Sequence, residues 1–207
     1  MFRRFSNTIK LCYSDNKNIA YIPIPKNASQ FGMKYFCEGY NLIEKQDWSD
    51  KDIKDKNFII FLRDPVQRWL SGISEFIYQE KYNYNRPLNL EDESILYLLF
   101  SGANFDAHTT PQMYFFEGLN LVNCYFFDID DRNFTGKLNF FCHKMFGYKN
   151  INVDKKNVTI ENTHKLEIFN KINFVFQNNK DLNELVHYKL TPDMDVYHHL
   201  QEANKFV

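Results

Sequence analysis

The chain has 207 residues, of which 44% are hydrophobic and 25% charged, so it can form one domain with a sizeable core. Lysine and arginine (25) nearly balance aspartate and glutamate (26), which excludes a general basic surface for nucleic acid. We therefore expect a single domain over residues 1–207 in which any anion-binding site is local.

The sequence also indicates where the protein is located and whether its cysteines bind a metal. No run approaches the ~18 apolar residues of a membrane span, and the basic residues Arg3 and Arg4 are not followed by the apolar core of a signal peptide. We therefore expect a soluble, cytoplasmic protein. The cysteines form no CxxC pair, which favours buried thiols over a metal or redox site, although an even number also permits disulfides. They are Cys12, Cys37, Cys124 and Cys142.

The first predicted elements form a strand, a loop and a helix. Residues 18–24 are predicted to form a short apolar strand, residues 25–30 a polar turn, and residues 31–40 a helix. Residues 57–62 are a continuous apolar run, typical of a strand buried on both faces. Asp64 as N-cap and Pro65 at the first helical position then predict a helix. Its apolar stripe comprises Val66, Trp69, Leu70, Ile73, Phe76 and Ile77.

Further strands and helices alternate in the second half. We expect a helix over 91–101, a loop over 102–112, a strand over 120–127 and a helix over 134–146, followed by a polar connection over 152–162. A strand over 173–176 and two late helices follow, the last beginning at Thr191 and Pro192. This alternation predicts a three-layer, P-loop-like α/β fold with a central parallel sheet flanked by helices.

The loop after the first predicted strand has the chemistry of an anion site. It consists of Pro25, Lys26, Asn27, Ala28, Ser29 and Gln30. A loop between a strand and a helix presents backbone N–H groups and the positive end of the helix dipole. Lys26 adds a charge and Ser29 a hydroxyl. A Walker A loop would end in Gly-Lys-Ser/Thr, which is absent and counts against a small P-loop kinase.

A second anion-binding segment follows the strand over 57–62. Arg63 ends that strand, so its guanidinium is expected at the carboxyl edge of the sheet, where ligands of parallel sheets bind. Ser71 lies two turns into the next helix, on its polar face. Gly72 has no side chain, so another group can approach the helix closely at that position. A fork-shaped arginine with a hydroxyl suits a terminal phosphate. Arg68 either binds an anion or is solvated, and Trp69 is expected in the core rather than stacked on a ring of the ligand.

Together these segments resemble the sulfotransferases that use 3′-phosphoadenosine-5′-phosphosulfate (PAPS), particularly the carbohydrate branch. Pro-Lys-Asn-Ala-Ser-Gln at 25–30 is similar to the family's loop for the 5′-phosphosulfate, and Leu-Arg-Asp-Pro-Val-Gln-Arg-Trp-Leu-Ser-Gly at 62–72 to its segment for the 3′-phosphate. The resemblance implies that residues 25–30 bind the phosphosulfate and that Arg63 and Ser71 bind the 3′-phosphate. It extends to 107–112 and 192–197. The family often has Gly at the position of Ala28, and Thr or Ser at that of Gln30.

The resemblance also implies catalytic roles. Lys26 neutralises the leaving phosphate, and adenosine 3′,5′-bisphosphate (PAP) is the nucleotide product. His108 lies where some carbohydrate sulfotransferases carry an acting histidine, and imidazole titrates near neutrality, which suits a base. Glu75 is the second candidate, since it shares a helix face with Ser71. If His108 or Glu75 is not the base, the alternative is that its side chain is structural or solvent-exposed. No metal is expected.

Several activities remain open at this stage. We expect an acceptor glycan, with tyrosine or a small alcohol as alternative acceptors. A catalytically inactive nucleotide-binding or interaction protein on the same fold would retain Arg63 and Ser71 but lack a working base. The sequence does not indicate an oligomeric state.

Overall fold

A computed structural model of the chain describes residues 10–14, 18–46, 54–85, 91–101, 107–147, 149, 162–203 and 206–207. The strands within these ranges are β1 (Leu11–Ser14), β2 (Ile19–Ile22), β3 (Ile43–Lys45), β4 (Asn57–Leu62) and β5 (Cys124–Asp128). The helices are α1 (Ser29–Met33), α2 (Pro65–Tyr78), α3 (Asp92–Ser101), α4 (Phe134–Phe146), α5 (Thr163–Asn178) and α6 (Lys180–Glu202). The π-helical turns Lys34–Glu38 and Gln79–Asn83 continue α1 and α2.

The described strands form one mixed five-stranded sheet in the order β3-β1-β2-β4-β5. β2, β4 and β5 pair in parallel, whereas β1 is antiparallel to both of its neighbours. The α/β class is therefore confirmed, and the prediction of a purely parallel sheet is wrong. The physical reason is the short connection from Ser14 to Ile19, because a parallel pairing needs a crossover of a dozen or more residues.

The parallel strands place three chain segments at one edge of the sheet. Ile22 of β2 is in register with Ile60 of β4, and Leu62 of β4 with Asp128 of β5. All three strands run in the same direction, so the residues that follow them emerge at the same carboxyl edge. These are the loop over 25–30, Arg63, and the turn that begins at Ile129, whose N–H donates to the Leu62 carbonyl.

The chain divides into two compact units. The first unit comprises the described residues within Met1–Arg63, Gln112–Lys155 and Val196–Val207. The second comprises those within Asp64–Pro111 and Lys156–Asp195. This division describes packing only, so the prediction of one functional domain over residues 1–207 stays a prediction.

Each unit has its own hydrophobic core. In the first unit, the inner face of the sheet packs against α1 and α4, with Tyr21, Phe36 and Phe61 fully buried and in aromatic contact. In the second unit, α2 packs against α5, and the stripe predicted from the sequence is confirmed. Its buried members are Val66, Trp69, Leu70, Ile73 and Ile77.

Several predicted boundaries are confirmed. The strand over 57–62 and the helix over 134–146 have the predicted bounds, and a helix is observed at Asp92–Ser101. Asp64 caps α2 as predicted, since its Oδ1 accepts from the Gln67 N–H at 2.8 Å, and Pro65 occupies the first helical position. Local signals decided these elements, because capping chemistry and an apolar run need no distant partner.

Other predicted elements are wrong. Residues 173–176 lie inside α5 and are not a strand. α6 runs through Pro192, so no helix begins there, and the Thr191 hydroxyl donates to the His187 carbonyl within α6. The strand predicted from residue 120 begins at Cys124, because the Asn120 side chain accepts from the Val122 N–H and forms a turn. Most of the predicted polar connection over 152–162 and part of the loop over 102–112 lie outside the described residues.

None of the described helices is long and apolar enough to cross a membrane.

Candidate functional site

The loop over 25–30 joins β2 to α1 through a tight turn. The Asn27 N–H donates to the Ile24 carbonyl at 3.1 Å. Lys26 and Ala28 have left-handed backbones, with φ of 67° and 53°, and Ala28 is the N-cap of α1 without a side-chain hydrogen bond. A left-handed alanine is strained, which explains why glycine suits this position. Lys26 and Ser29 are half-buried, and Gln30 is exposed.

Asn27 holds the loop against the end of β4. Its side chain is fully buried, and its Nδ2 donates to the Phe61 carbonyl at 2.8 Å and to Gln112 Oε1 at 2.7 Å. The sequence made Asn27 a candidate donor-binding residue. The structure shows both amide hydrogens engaged by protein acceptors, so a ligand would contact its neighbours in the loop.

Gln112 connects this loop to Arg63. Gln112 Oε1 also accepts from the Arg63 N–H at 3.2 Å, and its Nε2 donates to the Arg63 carbonyl at 2.8 Å. We call these hydrogen bonds among Asn27, Gln112 and Arg63 the edge network. It brings the loop over 25–30 and Arg63 together at the carboxyl edge of the sheet, as the sequence predicts. Sequence reasoning missed the part played by Gln112.

A carboxylate lies beside the Arg63 side chain. Arg63 Nε is 3.6 Å from Asp130 Oδ1, and the two side chains are 25% and 44% exposed. This contact is too long for a good hydrogen bond. Among the described residues Nε has no hydrogen-bond partner, although the atom is buried. An anion binding to Arg63 would therefore compete with Asp130, which acts as an internal counter-charge.

Asp130 belongs to an acidic turn that follows β5. The Asp130 N–H donates to Asp128 Oδ1, whereas Asp128 Oδ2 accepts from the Tyr197 hydroxyl at 2.9 Å. A backbone hydrogen bond from Asn133 and an ion pair with Lys137 hold the pKa of the Asp131 carboxyl below its usual range. Asp131 therefore carries its negative charge at neutral pH, and that charge is paired with Lys137.

A groove of about 640 Å³ in the first unit runs along one face of α1 and its π-helical continuation. Among its lining residues are Ser29, Gln30, Met33, Lys34 and Cys37, with Lys10. Two members of the predicted donor loop therefore face open space, together with two lysines. Lys10 is already paired with Glu44, so the groove is of mixed charge.

In the second unit, the loop that carries His108 is fixed to α2. Arg68 is 1% exposed, and its guanidinium donates to the carbonyls of Thr110 and Ala107 on either side of His108. The sequence left Arg68 as an anion ligand or a solvated residue. The structure makes it a buried structural residue, whose charge is compensated by backbone dipoles.

Gly72 explains how close this loop comes to the helix. A Cβ added at Gly72 would lie 2.2 Å from the His108 carbonyl oxygen, so only glycine fits without moving the loop. One stripe of α2 at helical spacing carries Arg68, Ser71, Gly72 and Glu75. The structure therefore brings His108 beside the stripe that carries Ser71 and Glu75. The close approach predicted for Gly72 is to a loop of the protein.

Glu75, the second candidate base, already has a cationic partner. Both of its carboxylate oxygens accept from Lys165 Nζ at 2.9 Å, and Gln79 Nε2 donates to it at 3.2 Å. Lys165 also lies 4.6 Å from the centre of the Tyr78 ring, a cation–π distance. To act as a base, Glu75 would first have to release Lys165. This arrangement favours His108 for that role.

Comparison with protein-family models, with curated proteins and with solved structures finds no match to this chain.

Proposed function

We propose that this chain is a sulfotransferase, which moves a sulfuryl group from PAPS to a hydroxyl group of an acceptor, with a carbohydrate as the expected acceptor. The observation that supports the proposal best is the edge network, because it holds a lysine-bearing loop and an arginine side by side at the carboxyl edge of parallel strands. That edge is where ligands of such sheets bind. The proposal includes a P-loop-like arrangement of the three parallel strands.

The proposed donor site divides the nucleotide between two segments. The 5′-phosphosulfate lies against the backbone of the loop over 25–30, at the start of α1, because the first N–H groups of a helix have no intrahelical partners. Lys26 neutralises charge on the bridging oxygen and the 5′-phosphate as they leave. Arg63 binds the 3′-phosphate with its terminal nitrogens, while Asp130 lies on its Nε side. The assignment of Ser71 as a hydroxyl donor to that phosphate rests on the sequence resemblance alone.

The proposed reaction is an in-line displacement at sulfur. The acceptor oxygen forms a bond to sulfur while the bond from sulfur to the bridging oxygen breaks, and the electron pair leaves with the 5′-phosphate of PAP. His108 takes the proton of the acceptor hydroxyl. As in phosphoryl transfer, positioning and charge stabilisation supply most of the acceleration. The role of Arg68 and Gly72 is to hold the His108 loop on α2.

A binding experiment tests the donor site. Saturating PAP should raise the melting temperature of the protein, whereas ATP with magnesium should raise it little. In titration calorimetry, Arg63→Ala should weaken PAP binding by about 10- to 100-fold, because it removes charged hydrogen bonds to a phosphate. The matched control is Arg132→Ala, which removes an exposed arginine from the turn before α4. Equal affinity in the two variants would contradict the assignment of Arg63.

A turnover experiment separates an enzyme from a binding protein. Transfer of radiolabelled sulfate from PAPS should be screened over a panel of glycans, with tyrosine peptides and small alcohols alongside. His108→Ala should retain the fold and PAP binding but lose about 10²- to 10⁴-fold in turnover. His198→Ala, at an exposed position on α6, is the control. PAP binding without transfer to any acceptor would instead support an inactive nucleotide-binding protein.

A further inference from the structure

Three sulfur atoms meet at the wall of the groove in the first unit, those of Cys12, Met33 and Cys37. Cys12 lies on β1 and is fully buried, and Cys37 lies on the π-helical turn that continues α1. The Sγ atoms of Cys12 and Cys37 are 2.7 Å apart, and Cys12 Sγ is 3.1 Å from Met33 Sδ. A disulfide needs a separation of about 2.05 Å, so the cysteine sulfurs need to approach by less than ~1 Å.

The two cysteines differ in their access to solvent. Cys37 lines the groove of about 640 Å³, whereas Cys12 is 0% exposed behind it. A small solute that enters the groove therefore meets the Cys37 sulfur first. The proposed order of reaction follows from this asymmetry, with Cys37 as the attacking residue and Cys12 as the residue that resolves the first product.

Electrostatics favour the same order. Contact with Cys12 lowers the pKa of the Cys37 thiol, against the opposing effects of burial and of Glu44 and Glu38. The contact with Cys37, together with burial, raises the pKa of Cys12. The thiolate is the nucleophilic form, so Cys37 is the more reactive member of the pair.

The other two cysteines lack this activation. Burial raises the pKa of the Cys124 thiol and of the Cys142 thiol to about 12. Both therefore remain protonated thiols at neutral pH, and all four cysteines are free in the structure. They provide internal controls for any reaction that selects thiolates.

We propose that Cys37 and Cys12 form a thiol–disulfide pair that reacts with hydroperoxides entering the groove. The Cys37 thiolate attacks the terminal oxygen of a hydroperoxide, which breaks the O–O bond, forms a sulfenic acid on Cys37 and releases water or an alcohol after protonation. Cys12 then attacks the Cys37 sulfur, loses its proton, and displaces the hydroxyl as water. Two thiols are oxidised to one disulfide, and one peroxide is reduced.

The disulfide would join β1 to the helical segment that begins at Ser29. It closes the chain between positions 12 and 37, which restricts the unfolded state and raises the melting temperature of the first unit. Met33, in contact with Cys12, would have to give way as the two cysteine sulfurs approach each other. This inference concerns the thiols alone and does not depend on the proposed sulfotransferase activity.

Intact mass and peptide mapping test the proposal directly. The reduced protein is treated with stoichiometric hydrogen peroxide, its remaining thiols are alkylated under denaturing conditions, and the products are mapped. We expect a loss of two hydrogen masses, a peptide linking Cys12 to Cys37, and two alkylated thiols at Cys124 and Cys142. A product without that cross-link, or one that links other cysteines, would overturn the proposal.

Three variants assign the roles. Cys37→Ser should abolish the cross-link, and Cys124→Ser should leave it intact. Cys12→Ala should stop the reaction at the sulfenic acid, which dimedone then traps on Cys37. Circular dichroism checks that Cys12→Ala is folded; if it is not, the wild-type map and Cys37→Ser still decide. Dimedone labelling spread equally over the remaining cysteines would contradict a selective role for Cys37.

Discussion

Replacing Gln112 by methionine should destabilise the first unit and weaken donor binding together. Gln112 is 1% exposed, and its hydrogen bonds include one with Asn27 and two with the backbone of Arg63. Methionine is of similar length but cannot form these three hydrogen bonds. Each unsatisfied buried group costs about 1–3 kcal/mol, and some relaxation is expected. We therefore expect a loss of about 2–4 kcal/mol in the free energy of unfolding.

The assay is urea unfolding followed by far-ultraviolet circular dichroism, with PAP titration on the folded variant. The matched control is Gln177→Met, at an exposed position on α5. Gln112→Met should unfold at clearly lower urea than the control and bind PAP more weakly, because the loop over 25–30 loses its connection to Arg63. Equal unfolding midpoints and equal affinities in the two variants would refute the structural role given to the edge network.

Three further substitutions test separate contacts. Gly72→Ala places a Cβ against the His108 carbonyl, so it should lower the free energy of unfolding in urea by about 1–3 kcal/mol. It should also lower turnover more than PAP affinity. Unchanged stability would contradict that contact. Ala28→Gly relieves a left-handed alanine and should stabilise by about 0.5 kcal/mol, and a lower unfolding midpoint would contradict this. Asp130→Asn removes the counter-charge of Arg63, so calorimetry should show PAP binding that is roughly 2- to 5-fold tighter. Weaker binding would exclude competition between Asp130 and the ligand.

The sequence predicted the elements whose signals are local. The apolar run of β4 and the Asp64 cap of α2 lie within a few residues of the structure they specify, and both are confirmed. β1 and β3 were not predicted, because neither forms a continuous apolar run as β2 does, and both depend on pairing with each other or with β2. Their antiparallel pairing makes the sheet mixed.

The candidate site was predicted in part. The parallel strands β2 and β4 were enough to place the loop over 25–30 and Arg63 at one edge of the sheet. The bridging role of Gln112 was not predictable, because it lies 49 positions from Arg63 and 85 from Asn27. Glu75 and Lys165 are likewise 90 positions apart, so their ion pair leaves no pattern in the sequence.

Arg68 shows why the polar face of a helix can mislead. It lies among polar residues at helical spacing, which predicted solvent exposure or ligand binding. The fold instead covers this face with the loop over 107–110, whose carbonyls accept hydrogen bonds from the guanidinium. A polar stripe in the sequence indicates that this face of the helix does not pack in an apolar core. It does not indicate whether a polar loop of the protein covers the face.

A crystal structure of the chain with PAP tests the central claim most directly. We expect the 5′-phosphate against the backbone of the loop over 25–30, within reach of Lys26, and the 3′-phosphate on the terminal nitrogens of Arg63. The edge network should be unchanged from the free protein. A nucleotide bound away from the carboxyl edge of β2 and β4, or no binding at millimolar PAP, would contradict the proposed donor site and the activity inferred from it.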